Sequence, residues 1–147
     1  TYMASDGRSD GIVRLVTEKA KGEIRQPSSG YVDLGLPSGT YWKKENEPQK
    51  YSLKDGIKRF GTQLPTYEQL DELRYGCTWT RNGHGYDVVG PNGNSIFISG
   101  EGYSFYLSST SSGENGNEYV IVLYFSEYNI GFSNEDPDYK CSVRLVQ

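Results

Sequence analysis

The sequence predicts an α+β domain, and three observations carry that prediction. Two capped amphipathic segments follow one another at residues 52–61 and 66–76, as short helices do. From residue 77 onward, short apolar and aromatic runs alternate with Gly/Asn turns, the pattern of antiparallel strands. Among these runs, residues 119–125 (Tyr-Val-Ile-Val-Leu-Tyr-Phe) are apolar without a break, which predicts a strand buried on both faces at the centre of a sheet.

Taken in order, residues 1–29 read as an N-terminal extension or linker, and residues 30–147 as the domain. The extension opens on a polar stretch. Ile12, Val13, Leu15, Val16 and Ile24 follow, and their β-branched content favours strand over helix. Residues 26–30, Gln-Pro-Ser-Ser-Gly, have linker composition. Residues 31–34 and 40–42 read as strands around a Gly-Leu-Pro-Ser-Gly turn. A charged loop spans residues 43–50. Ser52 caps the first helix with Asp55 three residues on, Leu53, Ile57 and Phe60 line one face, and Gly61 ends it.

In the second helix Thr66 and Gln69 form a capping box, Leu70 and Leu73 share a face with Tyr67, and Gly76 stands where a left-handed cap is wanted. Residues 78–80 and 86–89 flank an Asn-Gly-His-Gly turn, and residues 90–94 turn into a strand at 96–98. Residues 108–117 and 126–139 read as long polar loops on either side of the central strand. The last strand, 141–146, alternates Cys141, Val143 and Leu145 with Ser142, Arg144 and Val146, so one face is expected to be buried.

Composition bounds the function. At 147 residues the chain can bury a core without staples, and 13 Tyr, 5 Phe and 2 Trp compensate for a hydrophobic fraction of only 35 %. A net charge of −4 with no basic block speaks against nucleic acid. No apolar run is long enough for a membrane-spanning helix. The chain does not open on a leader, but leaders are cleaved from exported proteins, so export stays open.

Several blocks resemble one family. Tyr31-Val32-Asp33-Leu34-Gly35-Leu36-Pro37-Ser38-Gly39-Thr40-Tyr41-Trp42 resembles the opening "VDLGLPSGTLW" of the Fibrobacter succinogenes major paralogous domain family. Gln63-Leu64-Pro65-Thr66 is similar to its "RLPT", Cys77-Thr78-Trp79 to its "CTW", and Gly90-Pro91-Asn92-Gly93-Asn94-Ser95-Ile96-Phe97 to its "GPNGNSIF". Tyr106-Leu107-Ser108-Ser109-Thr110 resembles "YWSST", and Ser142-Val143-Arg144-Leu145-Val146 the closing "SVRPV". The resemblance covers residues 31–147. It implies a C-type-lectin-like fold of the formylglycine-generating-enzyme variant: two helices on a twisted antiparallel sheet, long loops on one side, and first and last strands paired. It also implies a secreted or cell-surface-anchored setting, since the family is abundant in Bacteroidetes surface lipoproteins. The segment after the first strands is shorter here than in many members, so a pocket built from it is expected to be reduced.

The candidate chemistry is sparse. His84 sits in a Gly-rich turn with no nucleophile or orienting group implied beside it. One His and two distant Cys do not make a zinc site. Cys77 and Cys141 read as two buried thiols, a disulfide, or a redox or copper pair. The formylglycine-generating enzymes oxidise with a cysteine pair, but their active-site segment has no match here, so that activity is not carried over. In an oxidising compartment the two cysteines are expected to bridge, closing a loop of about 64 residues worth roughly 4 kcal/mol. The calcium-binding triplets of lectins are missing: Glu45, Glu47 and Pro48 come too early, and Asp136-Pro137-Asp138 has no Trp-Asn-Asp partner. No metal or cofactor is expected, and no enzymatic activity.

The reading that remains is a binding module for a protein or glycan met at the cell surface. Tyr with Ser, Asn and Gly is the composition of adaptable recognition loops. The expected contact residues are Tyr103, Tyr106, Asn115, Asn117, Tyr128, Asn129, Phe132, Asn134, Asp138 and Tyr139, with the charged loop at 43–50 silent. Residues 126–139 also resemble, in composition, the variable positions of lectin-like proteins diversified by retroelements. The alternative is a structural or adhesin subunit assembled through residues 1–29.

Overall fold

The computed structural model describes residues 25–100, 103–114, 117–126 and 128–147. The strand expected within residues 12–24 lies outside them. The described chain is mixed α+β, with two short helices and three antiparallel sheets.

Strands β1 (Tyr31–Asp33) and β2 (Tyr41–Lys43) form the opening hairpin, with Gly35 and Gly39 at positive φ in its turn. The chain's last residues close against it. Tyr41 and Gln147 exchange both backbone hydrogen bonds at 3.0 Å, and Lys43 N donates to Leu145 O at 3.0 Å. Arg25 and Ser28 are fastened to this seam. Ser28 N donates to Gln147 Oε1 at 2.8 Å, and the Arg25 guanidinium lies 4.0 Å from the centre of the Tyr41 ring.

Helix α1 (Leu53–Phe60) starts at Ser52, whose Oγ accepts from Asp55 N at 3.3 Å, and stops at Gly61 with φ 55°. Its buried face differs from the expected one, because Ile57 is 45 % exposed while Gly56 is buried. A Cβ on Gly56 would lie 2.8 Å from Leu107 Cδ2. The helix therefore presses on the sheet through its glycine, and that rotation turns Ile57 outward. Helix α2 (Tyr67–Gly76) carries the full capping box: Gln69 N donates to Thr66 Oγ1 at 3.1 Å, and Thr66 N donates to Gln69 Oε1 at 2.9 Å. Leu70 and Leu73 are buried as expected. Gly76 is not a left-handed cap. It is the last helical residue, and a Cβ there would stand 3.0 Å from Leu36 Cδ2.

Strands β3 (Thr78–Asn82), β4 (Gly85–Val89) and β5 (Ser95–Ser99) form an antiparallel meander in register with the predicted turns. The third sheet overturns two expectations. Residues 108–117 are not a loop: β6 (Ser104–Glu114) and β7 (Asn117–Phe125) pair as a long hairpin, with an irregularity between Leu107 and Ser111. Residues 126–139 are not one loop either, since β8 (Ile130–Glu135) pairs with β7 along its length. Ser108, fully buried, makes the polar stretch workable as a strand by donating from Oγ to Ile121 O at 2.5 Å.

Strand β7 is the centre of its sheet, and both its faces are covered. Val120 and Val122 pack with α1, Leu107 and the C-terminal segment, while Leu123 and Phe125 pack with α2, Trp42 and the β3–β5 meander. The C-terminal segment departs from its predicted alternation. Cys141, Val143, Arg144, Leu145 and Val146 are all buried, because the segment runs between other elements and is held by single bridges to Tyr51, Tyr106 and Trp42.

Candidate functional site

Two backbone junctions build the site. Tyr51 and Cys141 exchange both hydrogen bonds at 2.9 Å. Beside them Ser142 N donates to Phe105 O, and Leu107 N donates to Ser142 O, each at 2.9 Å. The loop at 43–51, the C-terminal segment and the start of β6 are thereby tied side by side. The turn at 136–139 folds over the start of α1, with Leu53 N donating to Pro137 O at 3.1 Å. Asp136 Oδ1 accepts from Asp138 N at 2.8 Å and fixes that turn.

Phe105 is the hub of an aromatic cluster on this surface. Tyr139 meets it edge-on at 5.6 Å between ring centres, Tyr103 lies nearly parallel at 6.5 Å, and Tyr124 is tilted at 6.5 Å. Tyr103 is 68 % and Tyr139 47 % exposed, so two large rings are held in place with free surface. They line a cavity of 240 Å³ together with Lys50 and Lys140. Lys50 and Lys140 also line a neighbouring cavity of 470 Å³ with Tyr51, Lys58 and Arg59. Tyr51 and Arg59 continue into a third, of 540 Å³, beside Glu47 and Pro48. The loop expected to reduce any pocket, and expected to be silent, therefore lines the two larger cavities.

The same loop also takes part in a buried polar network. Arg144, 3 % exposed, donates from Nε to Asn46 Oδ1 at 2.7 Å, from Nη1 to the carbonyls of Lys43 (3.1 Å) and Lys44 (2.8 Å), and from Nη2 to Phe97 O at 2.9 Å. Asn46 Nδ2 donates to Tyr106 Oη at 2.8 Å, and Tyr106 Oη donates to Ser99 O at 3.0 Å. Burial pulls the Arg144 pKa below its usual value and pushes that of Tyr106 up. On the rim, the hydrogen bond to Glu47 holds Lys43 above the usual lysine value.

The expected contact residues are therefore divided. Tyr103 and Tyr139 come together. Asp138 is exposed in the turn over α1. Tyr128, 88 % exposed, and Asn129 sit on the turn between β7 and β8. Phe132 is half-buried and not a free anchor, since its ring meets Tyr67 edge-on at 4.9 Å. With Asn134 it lines a separate cavity of 380 Å³. Tyr106 is a correction. It is 2 % exposed, its hydroxyl is engaged on both sides, and it belongs to the core. Asn115 lies outside the described residues, and Asn117 opens β7 instead of sitting in a loop.

The bridge expected between Cys77 and Cys141 is a second correction. Both are free thiols, packed against different core clusters. Burial pushes each up to about 11, reinforced by Glu72 at Cys77 and by Glu135 at Cys141, so neither is a reactive thiolate. Among the described residues no group of three or more His, Cys, Asp or Glu is placed to hold a metal, and no helix is long and apolar enough to cross a membrane. Sequence reasoning missed Lys50, Lys58, Arg59 and Lys140. They come from two stretches far apart in the chain, 50–59 and 140, which the Tyr51–Cys141 bridge and the Leu53–Pro137 hydrogen bond bring together.

No family model, curated protein or solved structure matches this chain.

Proposed function

We propose that this chain is a non-catalytic ligand-binding module with a C-type-lectin-like fold, secreted or anchored at a cell surface, that recognises a protein or glycan. One observation carries the reading: Tyr103 and Tyr139 are held around Phe105 with their outer faces open, beside a cavity. Ordered exposed tyrosines are the usual anchors of recognition surfaces, because they present rigid amphipathic area at low entropic cost. The fold assignment draws support from the order of elements, helices before the long sheet, and from the seam between β2 and the last residues.

Binding to glycan and protein arrays, followed by titration of the ligand found, tests this. Tyr103→Ala and Tyr139→Ala should each weaken binding by about tenfold or more while leaving the melting temperature within a few degrees. Unchanged affinity in both variants would remove this face from the function.

A further inference from the structure

We infer that the groove running from Arg59 to Tyr103 binds an acidic polysaccharide, one bearing carboxylate or sulfate groups along its length. This rests on the binding-module reading and adds the chemical class of the ligand. Three cavities adjoin in a row: Tyr51 and Arg59 line both of the first two, and Lys50 and Lys140 line both the second and the tyrosine cavity. The row offers successive sites on one surface, an arrangement suited to the repeating units of a chain.

Its charge is opposite to that of the protein. The whole chain is net −4, yet Lys50, Lys58, Arg59 and Lys140 gather here against two acidic lining residues, Asp55 in the central cavity and Glu47, paired with Lys43, in the outer one. Among the described residues the salt bridge is Lys43–Glu47, and none of these four cations has a carboxylate within 4.0 Å. Two of them, Lys58 and Arg59, lie in the last turn of α1, where the helix dipole favours a cation, and the other two flank the Tyr51–Cys141 bridge. Four unpaired cations concentrated in a groove attract and retain a polyanion.

The remaining walls distinguish a polysaccharide from an acidic peptide. Exposed Tyr103 and Tyr139, with Tyr51 between the larger cavities, offer apolar faces to the C–H faces of sugar rings. One common way for an extended peptide to bind is to add a strand to a free sheet edge. Here that edge is taken, because Tyr51 is paired with Cys141, and β6 with Ser142.

The test is calorimetric titration with polygalacturonate fragments, neutral dextran and poly-glutamate, at about 50 and about 300 mM NaCl. Polygalacturonate alone should bind at low salt, and at least about tenfold more weakly at high salt, where the Debye length is shorter. Lys50→Ala with Lys140→Ala, and Lys58→Ala with Arg59→Ala, should each reduce affinity about tenfold, the first pair at unchanged melting temperature and the second with a loss of no more than a few degrees, since it removes two cations from the last turn of α1. Absence of polygalacturonate binding at low salt, equal binding of dextran, or a preference for poly-glutamate overturns the inference. If an array ligand is lost in the Tyr103 and Tyr139 variants but kept in both charge variants, the ligand class is overturned while the binding-module reading stands.

Discussion

The loop at 43–51 and the chain's last dozen residues meet both inside the protein and on its surface. Inside, Arg144 reaches across to Asn46 and the carbonyls of Lys43 and Lys44, and each of its donating nitrogens has a fixed acceptor. Outside, Lys50 and Lys140 stand beside the Tyr51–Cys141 bridge facing open cavities. The same two segments thus supply one cation whose donors are satisfied by polar neighbours and others left without partners. The difference separates a charge that shapes the fold from charges a ligand can use. A buried guanidinium must be fully hydrogen-bonded to be tolerated at all, whereas an exposed ammonium loses little by remaining unpaired.

Three experiments can break that contrast, and the largest effect is expected inside. Arg144→Ala leaves the carbonyls of Lys43, Lys44 and Phe97 and the Asn46 side chain without their donor. At least about 2 kcal/mol should be lost in urea unfolding, since each buried acceptor left without a donor costs about 1–3 kcal/mol. Arg144→Lys should recover only part, since an ammonium lacks the fork that reaches all four acceptors. A loss below about 1 kcal/mol would mean that the network is dispensable.

An intermediate effect is expected at high pH. Burial raises Cys141 from 9.0 to about 11, with Glu135 reinforcing and Lys50 opposing. Folding therefore favours the protonated thiol. That stabilisation is complete below the unfolded value near 9.0 and is lost as pH rises toward about 11. The unfolding free energy should fall across that window, and Cys141→Ala should flatten the fall. Identical slopes in the two proteins would show that the thiol is not held in a low-dielectric site.

The smallest effect is expected on the surface. Lys50→Ala with Lys140→Ala should change stability by less than about 0.5 kcal/mol, as substitutions of unpaired exposed residues do. A clear stabilisation would be informative in its own way, because it would show that the two ammonium groups repel one another in the folded state.

What was legible in the sequence was local. The Ser52 and Thr66 caps, the Gly35–Gly39 turn and the β3–β5 meander are set by residues within a few positions of each other, and all appear where expected. Strand β8 was hidden because Ile-Gly-Phe-Ser-Asn-Glu has turn composition; pairing with β7 fixes it, and the Tyr124 ring covers Gly131, where a Cβ would stand 3.2 Å from its hydroxyl. The second half of β6 was hidden for the same reason. Arg144 was placed on an outer face because alternation presumes one solvated side, and this segment has none. At the candidate site, Tyr103 and Tyr139 could be named from composition, but their meeting at Phe105 depends on Ser142 pairing with β6, a contact between segments far apart in sequence. The groove's cations depend on a second contact of this kind, the Tyr51–Cys141 bridge.

The seam between Tyr41 and Gln147 makes the fold close to a ring. With Ser28 hydrogen-bonded to the Gln147 side chain, residues 28 and 147 are neighbours although they lie 119 positions apart. A chain rejoined there through a short link and recut at the Gly83–His84 turn would keep all its strand neighbours, as circular permutants do when the joined points are adjacent. For the same reason, residues 28–147 could be grafted into a surface loop of a host protein, entering and leaving at almost one point, with the host's own backbone scarcely displaced.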